Sequence, residues 1–220
     1  MAPGLAVFCI SAGALAYEIL LMRLLSIAQW HPFAYMIISL ALLGFGASGS
    51  FLTLVGRVLE SRYHLAFAVN AAAFSLATVA SFALSQRLPL NLLEILWDRS
   101  QPGYLLGLYL LLSLPFLFAA NCIGLSFSHF RDRIHRIYLF DLLGAGCGAL
   151  VVIALLFAAD PVDCLRICSA AGFIGAALVW LDAKSGWSVP VALVLAACGG
   201  LLPAVWPVRW LEPHMSPYKG

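Results

Sequence analysis

The sequence predicts an all-α, polytopic integral membrane bundle of about seven transmembrane helices, within a range of six to eight. Three observations carry this. Apolar residues make up 63% of the 220-residue chain and charged residues only 10%, against about 45–50% and about 25% in a soluble domain. Mean hydropathy is +0.99, which leaves too little polar surface to coat a particle in water. The apolar residues run on for about twenty positions at a time, the length of a membrane-crossing helix. Outer-membrane strands instead alternate polar and apolar residues, so helices must satisfy the backbone here. The composition excludes a soluble globular enzyme, a disordered chain and, with a net charge of +2, a nucleic-acid binder with a basic face.

The first span runs from about Gly4 to Ser26. It lacks a preceding basic region and is too long for a signal peptide, so it reads as a retained helix. The second, about Phe33 to Val55, follows the polar break Gln29-Trp30-His31-Pro32. The third covers about His64 to Ser85, the fourth Tyr104 to Phe127, and the fifth Tyr138 to Ala158, after a basic loop from Arg131 to Arg136. The sixth, Cys164 to Leu181, and the seventh, Ser188 to Trp206, are shorter or interrupted by Pro and Gly. Residues 1–206 form the transmembrane domain, and 207–220 leave the membrane. The segment from Gln86 to Gly103 is too short and too polar to span, and reads as an interfacial amphipathic helix or as a loop over the bundle end. Lys and Arg are nearly balanced between the two sides. The Arg131–Arg136 loop weakly favours a cytoplasmic N-terminus, which with seven spans puts the tail outside.

Small residues four apart let helix backbones approach closely in lipid. Such pairs are Gly44 with Ser48, Gly46 with Ser50, Gly144 with Gly148, and, offset along the sixth span, Gly172 with Ala176 and Ala171 with Gly175. They predict packing within the bundle, with a homodimer through one of these faces as the alternative. Ionisable residues at membrane depth are functional candidates because burying them is costly. Glu18 lies about two-thirds along the first span and Arg23 five residues later. Five residues turn a helix by about 500°, so the two point about 140° apart and make a poor ion pair. Arg23 finds another partner or snorkels to the interface. Asp141, near the start of the fifth span, faces the positive end of its own helix or partners Arg23 or Asn121. Cys164 and Cys168 share a helix face, yet buried cysteines usually behave as small hydrophobes. No metal or cofactor site is expected. His129 and His135 flank the basic loop and read as solvated. No Walker lysine loop, GxSxG, HExxH or GxGxxG is present in the sequence, so no catalytic residue is assigned.

Three stretches carry a resemblance. They are Tyr17-Glu18-Ile19-Leu20-Leu21-Met22-Arg23 before the Gly-rich second span; Leu114-Pro115-Phe116-Leu117-Phe118-Ala119-Ala120, the basic loop and Tyr138-Leu139-Phe140-Asp141-Leu142-Leu143-Gly144-Ala145; and the tail Met215-Ser216-Pro217-Tyr218-Lys219. Together they resemble the membrane-embedded N-terminal half of fused spermidine/spermine synthase-like (polyamine aminopropyltransferase-like) proteins. In that family a multi-span domain precedes an aminopropyltransferase-type domain, whose entry strand the tail is similar to. The Gly-rich loop and acidic residues that hold decarboxylated S-adenosylmethionine have no counterpart, so only Glu18, Arg23 and Asp141 carry over, as polar positions without a defined role. The family's cytosolic substrates require either an outside N-terminus or one fewer crossing than seven.

The resemblance implies a membrane module that anchors or regulates a soluble aminopropyltransferase-like domain, in cis or in trans, in a bacterial inner membrane. Intramembrane Glu18, Arg23, Asn121 and Asp141, with breaks in the last span, suggest instead a transporter for a small cation or metabolite. A structural protein that packs on a partner through its small-residue faces is the third reading. In each case the polar residues are expected to face inward and cross-link helices around a polar cavity. The expected partners are the lipid bilayer and, through the resemblance, the soluble domain; nucleic acid is not among them.

Overall fold

The computed structural model describes residues 2–28, 32–88 and 98–182. The seventh candidate span, the tail and residues 89–97, half of the segment between the third and fourth spans, lie outside the described residues. Among the described residues every regular element is helical: α1 (Ala2–Ala28), α2 (Pro32–Ser61), α3 (Tyr63–Ser85), α4 (Gln101–His129), α5 (Ile134–Ala158) and α6 (Pro161–Asp182), with a 3-10 turn at Arg131–Arg133. All six helices are long and apolar enough to cross a membrane, so the all-α bundle expected from composition is the fold.

Helix ends differ from the expected ones for local reasons. α2 runs past Val55 to Ser61 because no proline or capping residue stops it, and it breaks at Arg62, whose backbone leaves the helical region (φ −122°, ψ 42°). Gln101, Pro102 and Gly103 belong to the first turn of α4, not to the preceding loop. Asp98 sets that start. Its carboxylate accepts hydrogen bonds from the Ser100 amide (3.0 Å), the Ser100 hydroxyl (2.7 Å) and Gln101 Nε2 (3.1 Å). Pro102 then sits in the first turn, where its missing N–H is not needed.

α1 is the hub of the bundle. It packs on α5 and α6 and also touches α2 and α4, while α3 packs on α4 and α6, and α2 lies along α4. One buried cluster gathers Tyr17, Leu20, Leu21 and Leu24 with Leu112 and Phe116. A second, toward the N-terminal end of α1, gathers Ala6, Ile10, Phe67, Phe74 and Cys122. The outward faces are apolar, with Leu54 84% and Phe157 91% exposed. Such surface belongs against lipid rather than water.

Glycines set the closest crossings. A Cβ on Gly144 or Gly148 would strike the backbone of Phe8 or Ala12, so α5 lies directly on α1. Gly172 rests on Ala71 and Ser75 of α3, Gly175 on Ala6 and Ile10 of α1, and Gly44 on the α4 backbone at Ser113 and Leu117. Ser48, one turn beyond Gly44, bonds to Asn121 of α4. These contacts all lie within the chain. Gly46 departs from its expected packing role: nothing stands within 4 Å of its Cβ position. Two residues turn a helix by about 200°, so Gly46 faces away from the contact that Gly44 makes.

Candidate functional site

Four helices line a half-open cleft of about 430 Å³. α1 contributes Ser11, Ala14, Leu15 and Glu18, and α2 contributes Phe45, Ser48, Gly49 and Leu52. Both sets follow the i, i+3, i+4, i+7 spacing of one helix face. α4 supplies Phe116, Ala120, Ile123, Gly124 and Phe127, and α5 supplies Asp141 and Ala145. The space exists because small residues face it. Ala14, Gly49, Ala120, Gly124 and Ala145 leave room where larger side chains would close the bundle. The volume falls within the range of about 300–1,000 Å³ usual for small-molecule pockets.

Two carboxylates line this cleft from different helices. Asp141 accepts a hydrogen bond from the Ser11 hydroxyl at 2.5 Å, tying α5 to α1. Glu18 stands on the same face of α1 as Ser11. Seven residues is two turns less about 20°, a rise of about 10 Å, so Glu18 and the Ser11–Asp141 pair occupy two levels of the cleft. Tyr17 fixes the rotation of α1 that presents Glu18. Its ring packs 5.2 Å from that of Phe116, and its hydroxyl shares a 3.0 Å hydrogen bond with Ser81 of α3.

Beside the carboxylates runs a directed chain of hydrogen bonds. Ser48 donates to Asn121 Oδ1 (2.6 Å), Asn121 Nδ2 donates to Asn70 Oδ1 (3.0 Å), and Asn70 Nδ2 donates to the carbonyl of Ala66 (2.8 Å). The chain joins α2, α4 and α3 through polar side chains that are buried at Ser48 and Asn121 and half-buried at Asn70, and polar groups in lipid need such partners.

The sequence-predicted polar residues therefore separate. Glu18 and Asp141 meet at the cleft. Asn121 lies behind it, bonded to Ser48 and Asn70, and does not partner Asp141. Arg23 does not face inward: it is exposed, on a different side of α1 from Glu18, and Asp141 bonds to Ser11 in its place. His129 and His135 are both exposed, and the His129 ring also stacks on Tyr63 with centroids 4.4 Å apart. Cys164 and Cys168 are buried among the apolar side chains of the first cluster. Ser11 and Asn70 are site residues that the sequence reading missed. Ser11 carried a signal, its seven-residue spacing from Glu18; Asn70 carried another, being a carboxamide inside an apolar span.

Comparison with known protein families, with curated proteins and with solved structures gave no significant match.

Proposed function

We propose that the chain is an integral membrane binding module whose cleft holds a small organic cation within the bilayer. One observation carries this reading: two carboxylates on separate helices line one cleft inside spans long enough to cross a membrane. An intramembrane carboxylate is costly unless a proton or a cation neutralises it. Three phenylalanine rings, Phe45, Phe116 and Phe127, share the cleft and suit the body of an organic cation better than a bare metal ion. Transport of the same cation across the bundle is the extension of this reading.

Equilibrium binding of an aromatic amine, phenethylammonium, to the protein in lipid nanodiscs tests it. Saturable binding that Glu18→Gln and Asp141→Asn each weaken is the expected result. No binding, or binding indifferent to the Glu18→Gln/Asp141→Asn double variant, overturns it.

A second reading is compatible and rests on the stretch from Tyr138 to Ala145 and on the tail from Met215. There the module anchors or regulates a spermidine synthase-like transferase domain, and the cleft holds an amine beside it. A coding frame that continues past residue 220 into a Gly-rich S-adenosyl-type fold, or an adjacent gene encoding one, supports this reading; neither being present removes it.

A further inference from the structure

We infer that the cleft selects cations bearing N–H groups, primary or secondary ammonium ions, over quaternary ammonium ions of the same shape. The inference rests on the cation-binding reading and deepens it. With three phenylalanine rings in the cleft, both cation types would bind through ring faces. Hydrogen-bond polarity separates them.

The polarity of the Ser48 chain is fixed at its far end. The backbone carbonyl of Ala66 only accepts, so Asn70 turns its Nδ2 toward it. Asn70 Oδ1 then faces Asn121, which turns its own Nδ2 toward Asn70. Asn121 Oδ1 is left for Ser48, whose single proton is thereby committed. Reversing either amide would set two donors or two acceptors face to face. Ser48 therefore offers the cleft only lone pairs. Ser11 is in the same position, because its proton goes to the Asp141 carboxylate. Asp141 and Glu18, in the carboxylate form that a bound cation leaves, accept only.

Each polar group that faces the cleft is thus an acceptor. A primary ammonium brings three donors to such a lining, and each acceptor it meets gains a charge-assisted hydrogen bond. A trimethylammonium brings none, and it removes the acceptors from other donors without replacing them.

The test compares phenethylammonium with its N,N,N-trimethyl derivative on wild-type protein in nanodiscs of zwitterionic lipid, with empty nanodiscs as the baseline. The expected preference is on the order of tenfold or more for the primary amine, the worth of one net charge-assisted hydrogen bond. Asn70→Leu supplies the second readout. Asn70 does not line the cleft, but removing it frees the Asn121 amide to reverse and Ser48 to donate into the cleft. The preference is expected to shrink several-fold in Asn70→Leu while the trimethyl compound binds no worse. Equal affinity of the two compounds for wild type overturns the inference and leaves the cation-binding reading standing. An undiminished preference in a folded Asn70→Leu protein overturns the role assigned to the chain. Failure of both compounds to bind removes the cation-binding reading itself.

Discussion

Replacing Gly148 with alanine, beside the same replacement at Gly146, isolates the contact that seats α5. Apart from Ile137 and Val152, the buried residues of α5 are Gly144 and Gly148, so this helix depends on its crossing with α1. A Cβ at Gly148 would lie 2.6 Å from Ala12 Cα and 2.7 Å from its carbonyl carbon, where ordinary contact begins near 3.4 Å. The neighbours are backbone atoms and cannot swing aside, so the helices must part by most of an ångström. Overpacking of this kind costs about 1–3 kcal/mol. At Gly146 nothing stands within 4 Å, and Ala gains about 1 kcal/mol of helix propensity over Gly. That gain is common to both variants. The difference between them therefore reports the clash alone, a roughly 5- to 150-fold change in the unfolding equilibrium. Unfolding in micelles is followed by fluorogenic maleimide reacting with the buried thiols Cys122 and Cys168. Gly148→Ala should unfold earlier than Gly146→Ala, and Gly146→Ala no earlier than wild type. Coincident curves for the two variants would refute the close α1–α5 crossing.

Further outcomes follow from single contacts. Ser48→Ala strands the buried Asn121 Oδ1 and should cost about 1–3 kcal/mol in the same unfolding assay; a change below a few tenths would argue against the directed chain. Ser11→Ala removes one hydrogen bond to the Asp141 carboxylate and should cost about 1.5–3 kcal/mol. Asp141→Leu should also lower stability through loss of the same α1–α5 tie, and an unchanged melting curve would count against that pairing. At the α4 cap, hydrogen bonds from Ser100 and Gln101 hold the Asp98 carboxyl below its ordinary value of 3.8. A depressed folded pKa means that the contribution is present above the unfolded value and lost as pH falls through the folded one. Amide protection factors at Ser100 and the following turn, which take out the intrinsic slowing of exchange in acid, should therefore fall on acidification below about pH 4, and Asp98→Ala should abolish that dependence.

Much of the fold was legible because membrane helices write their presence in composition. Six of the expected spans coincide with helices, and small residues at Gly44, Gly144, Gly148, Gly172 and Gly175 sit at crossings. Gly46 shows the limit: the four-residue pattern marks a face without saying whether a neighbour lies there. Glu18, Asn121 and Asp141 stood out because ionisable or amide groups are rare in such runs. Their partners did not. Asp141 meets Ser11, 130 positions earlier in the chain, and that pairing exists only because α1 and α5 cross on two glycines. The separation of Arg23 from Glu18 was readable from helical rotation alone. The cleft was not, since it depends on which small residues of four helices face one another.

The most direct test of the central claim is chemical modification of Glu18 by a hydrophobic carbodiimide, which converts a protonated carboxyl to an N-acylurea, read by mass spectrometry. Protein in nanodiscs is treated with and without N,N-dimethylphenethylammonium, a tertiary amine that keeps one N–H but cannot form an amide with the activated carboxyl. A cation seated against the carboxylate displaces its proton and covers it. The account predicts an adduct on Glu18 that declines in a saturable manner as the amine is added. An adduct that forms equally at every amine concentration would contradict it.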